Sequence, residues 1–336
     1  MSISDFKTAA PFNRRSFLKL GTAGFTLFSS VFGASLVAQQ ESKEEKGKGK
    51  RPKGAPSGQA TRFLLACMTL PYHDFPLERA LTGIKAAGFD YVTWGTTHKE
   101  DGGKEVPVVA PDADPQAAKE LGKRCRDLAL QPVMMFSGIY PEAANALPVL
   151  KSRILQAAAA GIPEVLTFGH TKGGNRKLWV ERLKELGPIA RDHGVRIVVK
   201  QHGGETGTGA ACAEIIREVN DEGIKVNYDA GNVMDYLRVD PIADIQKCAE
   251  EIRSFCLKDH RVFPKDQDCA PGFGEIDHYR LLAPVSFTGR DMALSFENIF
   301  LPAVNRPTKP EGVDSLARRA REFMEIVIQG VQSKSL

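Results

Sequence analysis

The chain has 336 residues, with 45 Lys and Arg against 41 Asp and Glu, a formal net charge of +4. Acids and bases are mixed along it, without the basic stripe of a DNA-binding face, which argues against nucleic acid as a partner. The length suits one large domain with residues to spare, since an eight-unit barrel needs roughly 250.

The first residues read as an address rather than as fold. Asn13-Arg14-Arg15-Ser16-Phe17-Leu18-Lys19 precedes a moderately apolar run over 20–38. Paired arginines, Phe-Leu-Lys and a soft apolar stretch have the layout of a twin-arginine signal over 1–38. Gly21, Gly24, Ser29, Ser30 and Gly33 make the run poorly hydrophobic for a membrane anchor. The expected partner is the twin-arginine export machinery, and the expected location is periplasmic or otherwise extracytoplasmic. Residues 39–60 are rich in Lys, Glu, Gly and Pro and have no apolar period, so a disordered linker is expected.

From 61 to 333 short apolar runs alternate with longer amphipathic ones. Strands are expected at 63–68, 91–94, 131–136, 165–168, 195–199, 224–228, 252–257 and 292–296. Helices are expected at 77–87, 114–128, 143–160, 178–193, 209–220, 241–251, 277–282 and 313–332, several of them stopped by Gly. Strict alternation implies parallel strands, and runs buried on both faces read as continuous apolar segments. Eight units favour a closed (β/α)8 TIM barrel, α/β and single-domain. No Gly-x-Gly-x-x-Gly follows the first strand, which weighs against a dinucleotide-binding sheet. The six cysteines show no Cys-x-x-Cys spacing and read as free buried thiols.

Such a barrel places its chemistry just after the apolar run of each strand. Those positions hold Trp94 and His98 after the second, His170 after the fourth, Lys200 and His202 after the fifth, and Asp229 and Asn232 after the sixth. Lys258 and His260 follow the seventh, and Glu297 the eighth. Charge gathered at strand ends is costly unless paired or used. Glu297, Lys200, Asp229, His202 and Lys258 are the expected catalytic set. Trp94, His98, His170, Asn232 and His260 are the expected substrate contacts, with Trp94 either stacking on a sugar ring or filling the barrel top. The glycines at 203, 204, 207 and 209 lack the Lys-Ser/Thr ending of a phosphate loop and read as turn residues.

Ala86-Ala87-Gly88-Phe89-Asp90-Tyr91-Val92, Tyr228-Asp229-Ala230-Gly231-Asn232, Leu257-Lys258-Asp259, the loop from Pro271 to Asp277, and Phe287-Thr288-Gly289-Arg290 leading to Glu297 occur in this order over most of the chain. In these pieces residues 63–331 resemble the xylose-isomerase-like barrel superfamily, the sugar isomerases and epimerases that also include endonuclease IV. The resemblance implies a divalent metal held by Glu, Asp, His and Glu from four consecutive strands. Carried over, those places are Lys200, Asp229, Cys256 and Glu297, so only Asp229 and Glu297 match as metal ligands.

Three accounts follow. A metal (Mn, Mg, Co or Zn) persists on Asp229 and Glu297, with His202 or His260 as substitute ligands. Alternatively, Lys200 replaces the metal, pairs with both acids and stabilises an enediolate while Glu297 moves the proton. In the third, the barrel binds carbohydrate without turning it over. The leading expectation is an isomerase of the sugar isomerase/epimerase type acting on a small-molecule carbohydrate. A non-catalytic binding barrel and a metal-free lyase are the alternatives. A nuclease of the endonuclease IV kind would need a His-rich multi-metal site and a basic face.

Overall fold

The computed structural model describes residues 58–333. The export signal expected over 1–38, and all but the last three residues of the expected linker, lie outside them. Eight parallel strands close into a barrel: β1 (Arg62–Met68), β2 (Tyr91–Trp94), β3 (Gln131–Phe136), β4 (Glu164–Phe168), β5 (Arg196–Lys200), β6 (Ile224–Tyr228), β7 (Ile252–Leu257) and β8 (Asp291–Phe296). Each lies within one residue of its expected bounds. β8 returns to pair with β1, Arg62 opposite Asp291 and Cys67 opposite Phe296, so no strand edge is left open.

The helices are α1 (Leu77–Ala86), α2 (Pro115–Asp127), α3 (Ala146–Ala160), α4 (Arg176–Asp192), α5 (Gly209–Val219), α6 (Ala230–Leu237), α7 (Pro241–Ile245), α8 (His278–Leu282) and α9 (Pro310–Gln332). Their apolar faces and the outer faces of the strands form one core that includes Tyr72, Phe89, Trp94, Trp179 and Phe296. Inside the barrel, Met68, Met134, Phe136, Leu166, Val198 and Cys256 form a separate apolar layer near the C-terminal strand ends. That layer is the floor on which the charged residues stand.

The observed elements depart from expectation around the sixth and seventh strands. The helix expected over 241–251 is only α7 followed by a 3-10 turn, Ala249–Glu251. The unexpected α6 begins at once after β6, because the Asp229 carboxylate caps it, accepting from the Asn232 amide at 2.9 Å. Ala230-Gly231-Asn232 reads locally as a turn, yet Gly231 is there for clearance: a Cβ on it would lie 2.7 Å from the Lys258 stem. Two antiparallel ribbons were also not foreseen: Thr97–Lys99 with Glu105–Pro107 after β2, and Asp259–Arg261 with Gln267–Cys269 after β7. The six cysteines are free and buried. Among the described residues no helix is long and apolar enough to cross a membrane.

Candidate active site at the C-terminal mouth of the barrel

Lys200 is the last residue of β5, and Asp229, Lys258 and Glu297 are the first after β6, β7 and β8. Four consecutive parallel strands therefore aim these side chains at one point. Lys200 Nζ lies 2.7 Å from Glu297 Oε1 and 3.3 Å from Asp229 Oδ2. Lys258 Nζ lies 3.1 Å from Glu297 Oε2 and 3.5 Å from Asp229 Oδ2. Each ammonium thus bridges both carboxylates. Asp229 is wholly buried, and Lys200 and Lys258 nearly so, whereas the Glu297 side chain keeps 13% of its exposure. Glu297 is the member of the quartet with the most contact with the mouth.

Burial alone would push all four toward neutrality. For Lys200 it is opposed by Glu297 and Asp229, and for Lys258 by Asp229, Glu297 and Asp268, and both amines end above their ordinary value. Both stay ammonium at neutral pH and cannot act as imine-forming nucleophiles. Burial raises Glu297, but Lys200 and Lys258 outweigh it and hold this carboxyl far below the usual range. Asp229 is raised to about 6, burial prevailing over the two ammoniums. Its Oδ2 makes no aligned hydrogen bond, and its amide donates to Gln201 Oε1 at 2.7 Å.

A second ring of groups holds Lys258. Asp268 Oδ2 lies 3.2 Å from Lys258 Nζ, and Asp268 Oδ1 takes His260 Nδ1 at 2.9 Å. His260 Nε2 meets Asp266 Oδ1, also at 2.9 Å. An imidazole between two carboxylates needs both N–H groups. Burial disfavours that charge, but Asp268, Asp235 and Asp266 prevail and the His260 pKa is raised. Asp259 accepts from the amides of His260, Gly272 and Ile276 and meets His278 Nε2, so it secures the β7 loop rather than facing the mouth.

The other expected site residues divide. His202 is at the mouth: its Nδ1–H donates to the Gly169 carbonyl at 2.8 Å, which leaves Nε2 with the lone pair. Burial, helped by Lys200, lowers its pKa to about 4, so the ring is neutral. Asn232 is buried and spent on Asp229 and on the Gln201 carbonyl. His170 is exposed and leans against Tyr140, with ring centroids 4.1 Å apart and planes inclined at 45°. Trp94 is 1% exposed in the core between barrel and helices, so it neither stacks on a sugar nor fills the barrel top, and both expected roles are corrected. His98 is also buried, its Nδ1 bound to the Phe75 carbonyl at 2.9 Å in the first ribbon.

Aromatic residues that sequence reasoning passed over complete the mouth. Phe168, at the end of β4, lies 4.6 Å from the His202 ring and 5.8 Å from Tyr140. Tyr236, on α6, meets His202 edge to face with ring centroids 5.3 Å apart. Phe168 also carries the Lys200 ammonium 5.3 Å from its centroid. Tyr236 was missed because α6 was.

Among the described residues two groups of side chains have metal-ligand spacing: Asp229, Cys256 and Glu297, and Asp235, His260 and Asp266. In the first, two ammoniums already stand against the carboxylates, and burial raises the Cys256 thiol well above its ordinary value, keeping it protonated. While both lysines keep their protons, this donor set does not fit a divalent cation. In the second, both His260 nitrogens are engaged with acids.

Removing one partner of a buried ion pair costs about 3 kcal/mol. Lys200→Met is expected to lose about that much stability at pH 8 and distinctly less at pH 5, read from urea midpoints. The sign follows from Asp229. Its folded pKa, already raised, rises further when an ammonium is removed. A carboxyl with a raised folded value loses stability as pH climbs through the window between its ordinary and folded values. At pH 5 the buried acid is protonated and the lost ammonium matters less.

A family profile described as a xylose isomerase-like TIM barrel matches residues 81–321. No curated protein matches the chain in sequence. Among solved structures it superposes on a xylose isomerase-like TIM barrel/4-hydroxyphenylpyruvate dioxygenase fusion protein, at 20% identity over 81% of this chain and 43% of that one, TM-score 0.63. The chain therefore spans under half of the fusion protein. It also superposes on an L-ribulose 3-epimerase, at 18% identity over 81% of this chain and 99% of that one, TM-score 0.61. A third match is an IOLI protein with a bound zinc atom, at 17% identity over 80% and 99%, TM-score 0.64. At these identities the likeness is one of fold.

Proposed function

We propose, from the premise that this chain belongs to the xylose isomerase-like TIM barrel family, that it is a carbohydrate isomerase or epimerase in which two lysine ammoniums take the place of a metal ion. One observation carries the reading: Lys200 and Lys258 each bridge Asp229 and Glu297 at the ends of four consecutive strands. A substrate carbonyl at this point takes hydrogen bonds from the ammoniums, which stabilise the enediolate formed when the neighbouring C–H is broken. Glu297, with the greatest exposure, accepts that proton and returns it. Its basicity is low while both lysines clasp it and recovers as they turn to the substrate oxygen. Asp229 is the buried counter-ion that keeps both ammoniums in place, and His202 Nε2 is an acceptor for a substrate hydroxyl. The name of one structural neighbour, an L-ribulose 3-epimerase, supports the same kind of chemistry. The Arg14-Arg15 signal supports work outside the cytoplasm, and Arg14→Lys with Arg15→Lys should then strand the protein inside the cell.

The test is deuterium wash-in. The protein is incubated in D2O with a panel of aldoses, ketoses and keto-pyranosides, with and without EDTA, and exchange next to the carbonyl is followed by NMR. Exchange that persists in EDTA and falls at least about a hundredfold in Lys200→Met and in Glu297→Gln is the expected result. Exchange abolished by EDTA would return the site to a metal. Bound sugar without exchange across the panel would make the barrel a binding protein.

A further inference from the structure

We propose that the rings of Tyr140, Phe168, His202 and Tyr236 form a subsite for a closed pyranose ring. The inference rests on reading the mouth as a carbohydrate site. The four rings adjoin one another above β3 to β6, steeply tilted rather than coplanar: Tyr140 to Phe168 at 5.8 Å and 77°, Phe168 to His202 at 4.6 Å and 52°, His202 to Tyr236 at 5.3 Å and 72°. None of the four is fully buried, and His170 extends the row outward from Tyr140. The row is joined to the charged quartet, since Lys200 lies over Phe168. Glu297 and Lys258 complete the quartet from the ends of β7 and β8.

A pyranose matches this division. One face of its ring presents axial C–H groups, which pack on aromatic carbon, and its rim presents hydroxyls that need charged or polar partners. An acyclic sugar has the same hydroxyls but no rigid face, and would have to freeze several rotors to make one. A purely aromatic ligand would cover the row but would offer nothing for the paired ammoniums and carboxylates beside it to bind. The wall therefore selects for the closed ring, and since ring closure masks the carbonyl of an aldose or ketose, the quartet then acts on a ketone carried by a ring carbon, as in a keto-pyranoside.

The experiment is saturation-transfer NMR on the whole protein with methyl gluco-, galacto-, manno- and xylopyranosides, which cannot open, against the acyclic polyols glucitol and xylitol. At least one pyranoside is expected to bind, with saturation concentrated on the C–H groups of one ring face, and the polyols are not. Tyr236→Ala and Tyr140→Ala should weaken that binding about three- to tenfold, and Tyr236→Phe should keep it. Polyols binding as well as pyranosides, no pyranoside binding across the panel, or binding indifferent to both alanine variants would overturn the subsite. The two proposals fail separately: Lys200→Met should retain the one-faced contact while losing deuterium wash-in. A wall that binds in a protein showing no wash-in sinks the catalytic reading alone.

Discussion

The wild-type protein, loaded with Zn or Mn and desalted, is expected to hold no stoichiometric metal, whereas Lys200→Glu combined with Lys258→Met is expected to hold about one ion. The reason is charge. At an effective dielectric of about 20, a unit charge about 5 Å away changes the energy of a divalent ion by roughly 6 kcal/mol. Two ammoniums at the carboxylates remove most of what Asp229 and Glu297 would provide. The double variant replaces them with one further acid and one neutral side chain, leaving three carboxylates around the Cys256 sulfur. Zinc tolerates that mixed oxygen and sulfur set. Elemental mass spectrometry reads the outcome, and near-stoichiometric metal in the wild type would overturn the ammonium reading. The urea midpoint of the double variant, measured with and without zinc, serves as a second readout. Binding that favours the folded state should raise it.

Glu297→Gln is expected to cut wash-in about 10²- to 10⁴-fold, the usual worth of a positioned proton carrier. The wild-type rate should also fall about tenfold per pH unit below an apparent value near 6, a limb that Asp229→Asn removes. The limb follows from the burial that raises Asp229 to about 6. Below that pH Asp229 takes up a proton, both ammoniums turn to Glu297, and its basicity drops further. The apparent value belongs to the coupled set rather than to one carboxyl. Stability moves in two directions. Asp229, with its raised value, loses stability as pH rises from its ordinary range toward 6. Glu297, with its lowered value, contributes stability that is complete above the ordinary carboxylate range and is lost as pH falls below it. A flat rate between pH 4 and 8 in the wild type would remove Asp229 from this role.

The barrel was readable because its strands are continuous apolar runs separated by amphipathic ones, a pattern that depends on neighbours in sequence. The positions of Lys200, Asp229, Lys258 and Glu297 were readable for the same reason, since each directly ends or follows such a run. Their pairing was less so. Lys200 was foreseen against both acids, but Lys258 as an equal second bridge was not, because nothing local tells which side chains of separate strands meet. Trp94 shows the same limit from the other side: a ring at a strand end can face the mouth or the helices, and the fold turned it to the core. Tyr236 depended on α6, a helix whose start is set by the Asp229 cap and whose Gly231 is required by the stem of Lys258, a contact across 27 positions. His260 was foreseen as a substrate contact, yet its two acids, Asp266 and Asp268, reach it through an unforeseen ribbon.

Periodicity and strand-end charge, both local, thus determined the fold class and the catalytic shortlist. The tertiary structure decided which charges neutralise one another, which rings gather beside them, and that two ammoniums, rather than one, lie against Asp229 and Glu297. These depend on distances between side chains far apart in the chain, which only closure of the barrel creates.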